Sequence, residues 1–209
     1  NEGIQTWPST SPVAVAYRAA HLQALSDLDA ALGPTGYSIY NHLGVTAYHT
    51  SAMMIEDFVG TEKCITTLQT VAARGLTVQA HAGNLPTGNT CVNGDTNSLA
   101  AFLIGAGNYS YYHCSVGWGS DAKWPAVPDS WLDWLPEYDM PLGAPIGPAQ
   151  KRPYLGVDVT ASFWSRTFAS GTRVEFDGRT GNGTIRWANG VVQVGQPANL
   201  TALDHGCRW

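Results

Sequence analysis

Ala52-Met53-Met54-Ile55-Glu56-Asp57-Phe58 is followed first by Thr61 and an apolar face of Ile65, Leu68, Val71 and Ala72. Then comes Leu76-Thr77-Val78-Gln79-Ala80-His81. The two outer segments read as strands and the middle as a helix. Thr61 suits an N-cap, Arg74 sits in the last turn, and Gly75 follows as a stop. A helix of that length between two strands is a parallel crossover, which puts the chain in the α/β class.

The pattern extends in both directions. Upstream, Ser11 suits an N-cap and Pro12 the first helical position. Val13, Ala16, Tyr17, Ala20, Ala24, Leu25, Leu28, Ala31 and Leu32 then recur at helical steps as one apolar face, and Gly33-Pro34 stops the helix. Tyr37 to His42 follows as a strand. Only residues 43–51 join it to the next strand, which is short for a crossover helix. Either that helix is missing or the two strands pair differently. Downstream, a loop with Gly83, Pro86, Gly88 and Gly94 leads to a helix near Thr96 to Ala106, ended by Gly107. Asn108 to Cys114 is a fourth strand. Beyond residue 115 the periodicity fades into a Pro-rich stretch punctuated by Trp118, Trp124, Trp131 and Trp134. Residues 172–177 and 184–194 read as strands, and Asn189-Gly190 signals a type I′ hairpin. The expected organisation is a (β/α) part at 1–120, a connecting segment at 121–170 and a small antiparallel appendage at 171–209.

Strand alternation sorts the side chains. Leu76, Val78 and Ala80 share one face; Thr77, Gln79 and His81 share the other. A helix layer covers the apolar face, so the polar face must line something, such as a barrel interior near its mouth. Tyr109, Tyr111 and His113 share a face of the fourth strand, and Asn41 or His42 ends the first. Glu56-Asp57 ends the second, so one acid must point inward, Glu56 being the preferred one; Asp57 equally suits capping the next helix. Parallel barrels carry their chemistry at the carboxyl ends of strands, where Asn41, Glu56, Asp57, His81 and His113 all fall. Trp118 and Trp124 have apolar faces suited to sugar rings or to wrapping a core. His42, His81 and His113 are metal-ligand types, but no local spacing demands a metal, and no cofactor is expected. No G-x-S-x-G, Walker loop or strand-linked G-x-G-x-x-G occurs.

Composition narrows the class. The 209 residues are 44% hydrophobic and only 13% charged, with net charge −5, which excludes a disordered chain and argues against nucleic acid or an anionic membrane as partner. No apolar run approaches the ~18 residues of a spanning helix. Cys64, Cys91, Cys114 and Cys207 form no C-x-x-C, and N-x-S/T sequons stand at Asn108, Asn182 and Asn199. Together these point to a secreted glycoprotein with two disulfides. Three pairings are open, and Cys64–Cys91 with Cys114–Cys207 is preferred. Asn1-Glu2 is not a typical start, so a mature, trimmed or truncated chain is expected.

The ordered set Met54–Phe58, Leu76–His81, Ala101–Gly107, Pro136–Gly147 (with Pro141-Leu142-Gly143-Ala144-Pro145) and Phe163–Thr172 (with Trp164-Ser165-Arg166-Thr167-Phe168) resembles glycoside-hydrolase-like (β/α)8 barrel proteins, C-terminal half, over about residues 50–177. The resemblance implies half or part of a TIM barrel, whose first half would precede Asn1 or come from a second chain or self-assembly. It implies a carbohydrate partner and hydrolysis by two carboxyl groups. Glu56 is then the acid. Its partner is Asp57, a loop acid among Asp121, Glu137 and Asp139, or an upstream Asp. Asn41, His81, Tyr111 and His113 would contact sugar hydroxyls and Trp118 would stack. Arg166 is expected to pin the appendage to the barrel through a carboxylate. The rival reading is a non-catalytic, glycan-binding or structural extracellular glycoprotein.

Overall fold

The computed structural model describes residues 10–41, 52–56, 58–82, 96–114, 134–154, 161–196 and 207, with only the backbone at 40 and 41. It is α/β. Helix α1 (Pro12–Leu32) starts where the sequence says: the Ser11 side chain accepts from the Ala14 N–H, Pro12 opens the helix, and Gly33 ends it at φ +67°. Its apolar face is not buried, for Val13, Tyr17, Leu28 and Leu32 are all exposed. What ties α1 to the following strand is the Ser38 hydroxyl, which donates to Asp29 Oδ1 at 2.9 Å.

Strands β1 (Ile39–Asn41), β2 (Ala52–Ile55), β3 (Thr77–Ala82) and β4 (Ser110–Cys114) form one parallel sheet in the order β1-β2-β3-β4. So β1 and β2 pair in parallel despite their short link, which lies outside the described residues. Helix α2 (Glu62–Ala73) is capped by Thr61, whose hydroxyl accepts from the Cys64 N–H, and buries Cys64, Ile65, Leu68 and Val71. Helix α3 (Thr96–Gly105) buries every residue from Ser98 to Gly105. A helix apolar all round must be covered on all sides. The sheet, α2 and a second sheet do this.

That second sheet is antiparallel: β5 (Gln150–Pro153), β6 (Ser162–Thr167), β7 (Arg173–Asp177), β8 (Asn182–Arg186) and β9 (Val192–Val194), in that order. Trp164, Val174, Phe176 and Ile185 are buried in the core shared with α3, and their neighbours in sequence are more open, as alternation requires. Gly183 lies against α3 so closely that a Cβ there would sit 2.5 Å from the Ala100 Cβ. The Asn189-Gly190 hairpin forms, but not as type I′. Gly190 alone has positive φ (+88°), its N–H donates to the Trp187 carbonyl, and Trp187 and Val191 pair across the turn. Type I′ needs positive φ at two residues; here the glycine carries the whole left-handed step, as in a type I turn with a G1 bulge.

Arg166 does pin the second sheet, through a different partner. Its Nη1 donates to the carbonyls of Leu103, Ile104 and Ala106 at 3.0, 3.2 and 2.6 Å, which are orphan acceptors at the C-terminus of α3. The half-buried guanidinium thus meets the negative end of a helix instead of a carboxylate, and burial pulls its pKa below the usual arginine value.

The cysteine pairing differs from expectation. Cys64 is bonded to Cys207, with Cα atoms 5.4 Å apart, which excludes both Cys64–Cys91 and Cys114–Cys207. Cys64 Sγ also accepts the Val59 N–H at 3.5 Å, in the loop that leaves β2, so the bond ties that loop and the first turn of α2 to position 207. Cys114 is disulfide-bonded as well; Cys91 lies outside the described residues. Among the described residues no helix is long and apolar enough to cross a membrane.

Candidate active site

Register decides which side chains share a face. Val78, Ala80 and Ala82 of β3 are buried on the helix side with Met53, Ile55 and Cys114. The alternate residues form the other face. Asn41 is the Cα partner of Met54, Met54 of Gln79, and Gln79 of Tyr111. One step further toward the carboxyl ends, His81 and His113 are Cα partners. Glu56 is the first residue past β2. The strand ends therefore bring Asn41, His81, Tyr111 and His113 to one face, next to Glu56. Tyr111 is exposed; Glu56, His81 and His113 are half-buried. On the same face Ile39, the Cα partner of Ala52, is exposed, and so are Tyr37 and Tyr109 just ahead of β1 and β4.

The end of β2 carries an irregularity that sequence alternation cannot show. Ile55 is the Cα partner of Ala80, yet the Phe58 N–H donates to the His81 carbonyl at 2.9 Å, which fits pairing of position 58 with 82. Three steps on one strand therefore match two on the other, the arithmetic of a β-bulge. Phe58 accordingly lands on the helix side, fully buried and edge-on to Phe102 and Tyr112. Strict alternation therefore does not carry across the step from Ile55 to Phe58. Asp57 lies outside the described residues, as do His42, Trp118, Trp124, Asp121 and Asn199.

A short 3₁₀ helix (Pro136–Asp139) closes over the end of β4. The Tyr138 hydroxyl accepts the Cys114 backbone N–H at 3.1 Å, and its ring contacts Tyr112, His113 and Trp134. Tyr138 carries no periodic signal, because the element is one turn long and follows a Pro-rich stretch. Glu137 is turned to another task. It lines a small cleft with Thr96, Leu99, Tyr112 and Gln193, and accepts from the Gln193 amide. Gln193 accepts in turn from the Trp187 indole N–H at 2.7 Å. Asp139 is exposed. Of the sequons, Asn108 stands in an exposed turn before β4, at the opposite end of the sheet from His113. Asn182 is half-buried at the start of β8, with its Oδ1 enclosed.

The face so assembled offers one carboxylate, two imidazoles and a phenol beside exposed aromatic rings. That set can donate protons, accept hydrogen bonds from hydroxyls and stack on apolar ring faces. No curated protein matches the chain. A family model described as hypothetical glycosyl hydrolase family 15 matches residues 4–172.

Proposed function

We propose, from the premise that this chain belongs to hypothetical glycosyl hydrolase family 15, that it is a secreted glycoprotein acting on a polysaccharide at the carboxyl edge of its parallel sheet. The sheet is read as part of a (β/α) barrel, residues 1–120. Residues 121–170 connect, and 171–209 form the appendage, whose sheet β5 and β6 extend. Glu56 is the general acid and Asp57 the second carboxyl group. Asn41, His81, Tyr111 and His113 hold sugar hydroxyls, and Trp118 stacks.

One observation supports this most: the register that pairs His81 with His113, one step beyond Gln79 and Tyr111, beside the bulge that follows Ile55. Bulges recur beside active sites because they re-aim a side chain that alternation would fix. A glycosidase needs two carboxyl groups across one bond, and Glu56 with its sequence neighbour Asp57 is the pair proposed at this strand end. A non-catalytic reading draws on the exposed Tyr37 and Ile39 at one edge of the sheet and Tyr109 and Tyr111 at the other, apolar groups suited to holding a glycan without cleaving it.

Reducing-end release from a polysaccharide panel separates the two. Glu56→Gln is expected to lose about 10²-fold or more in turnover, the usual worth of a positioned acid, while still binding the polymer. Unchanged turnover would remove Glu56 from the chemistry.

A further inference from the structure

Three tryptophans lie among the described residues, and two are spoken for. Trp164 and Trp187 are buried, with indole N–H groups donating to Glu62 and Gln193. Trp134 is different: it is 66% exposed. It meets Tyr138 at 5.2 Å with ring planes 82° apart, a T-shaped contact that leaves most of the indole open to solvent.

The support beneath it is firm. Tyr138 is held by its hydroxyl on the Cys114 N–H, and Cys114 is buried and disulfide-bonded. The Tyr138 N–H also donates to the Leu135 carbonyl at 2.9 Å, so residues 135–138 form a closed turn with Trp134 at its mouth. His113 contacts the same tyrosine at 6.4 Å, which puts Trp134 one ring away from the carboxyl-end row. An aromatic side chain presented to water beside a fixed support binds a flat apolar ligand face with little ordering of the backbone beneath it.

We infer that Trp134 is a sugar-stacking platform: an outer subsite that takes the C–H face of a pyranose ring of the same polysaccharide, beside the strand ends. The inference rests on the glycan-handling reading above and adds a residue to it. A ring stacked there lies outside the reacting bond, so it sets affinity and chain placement, not bond cleavage.

Affinity electrophoresis in gels carrying a soluble β-1,3-glucan, a xylan, a galactan or a glycol chitin tests it, with any polymer that retards the wild-type chain then used for Trp134→Ala, Trp134→Phe and Glu56→Gln. Trp134→Ala is expected to lose roughly tenfold in affinity, more than a neutral contact residue costs. Trp134→Phe is expected to recover most of it, and Glu56→Gln to keep it. In hydrolysis assays Trp134→Ala is expected to raise KM and spare kcat. Near-wild-type retardation of Trp134→Ala, with Glu56→Gln still losing turnover, overturns the platform and leaves the catalytic reading standing. A wild-type chain retarded by none of the polymers overturns both.

Discussion

Glu62 opens α2, yet its carboxylate serves the other layer. Oε2 accepts the Ser162 N–H at 2.9 Å, Oε1 accepts the Trp164 indole N–H at 2.7 Å, and Lys151 Nζ lies 3.8 Å from Oε1. Ser162 and Trp164 are 5% and 4% exposed, so neither donor has water to fall back on. Glu62→Ala removes two charge-assisted bonds and strands two buried donors, at about 1.5–3 kcal/mol each. Removing the acid from the first turn of a helix adds a few tenths. The Lys151 pair adds less than about 1 kcal/mol, because the lysine side chain is 50% exposed. The total is about 3–7 kcal/mol, a large part of what holds a domain together. Glu62→Gln keeps one acceptor oxygen and turns an amide N–H₂ toward the other donor, so about half that loss is expected. Lys151→Ala is expected to cost least. Guanidinium unfolding followed by tryptophan fluorescence reads this order as a fall in midpoint at unchanged slope. A loss under about 1 kcal/mol for Glu62→Ala, or a Lys151→Ala loss larger than that of Glu62→Gln, would refute the assignment of Glu62 as the clasp between the layers.

Two further outcomes are expected. Tyr154 is held neutral by burial first and by its hydrogen bond to Asp177 second, which pushes its pKa from 10.0 to about 12. The folded value lies above the unfolded one, so this contribution is complete below pH 10 and fades as pH rises through about 12. Ultraviolet titration of the phenol should show Asp177→Asn moving the Tyr154 midpoint down toward 10; an unmoved midpoint excludes the pair. Asp177 itself is pushed up by burial but held below its usual value overall by hydrogen bonds from Tyr154, Arg179 and Thr180, so its share is present above the unfolded carboxylate range and lost as acid is added. If the chain is glycosylated in a secretory host, Asn108 should carry the glycan and Asn182 should not. Intact mass of Asn108→Gln and Asn182→Gln decides, and a glycan lost only in the latter contradicts the burial argument.

Local signals reached far into the fold. The caps at Ser11 and Thr61, the stop at Gly75 and the alternation of β3 are short-range effects, written within a few residues of where they act. Strands β5 and β6 were not legible. Gln150-Lys151-Arg152-Pro153 is an exposed edge strand with no apolar alternation, and its proline is tolerated because an edge needs no N–H on that side. The Arg166 partner and the Cys64–Cys207 bond depend on contacts 60–143 positions apart, beyond the reach of any local pattern. For the candidate site, strand alternation was enough to put Asn41, Tyr111, His81 and His113 on one face of the sheet, next to Glu56. The bulge was not foreseeable, because it shows only when the pairing of Ile55 is set against that of Phe58.

The bond from Cys64 to Cys207 spans 143 positions and so draws most of the molecule into one covalent ring. A protease that cuts any loop inside that ring opens a circle instead of severing a string. The nicked product should migrate as one species until a thiol is added, and then fall into two. Loops within the ring can therefore be cleaved without the piece bearing Glu56 parting from the piece bearing the second sheet.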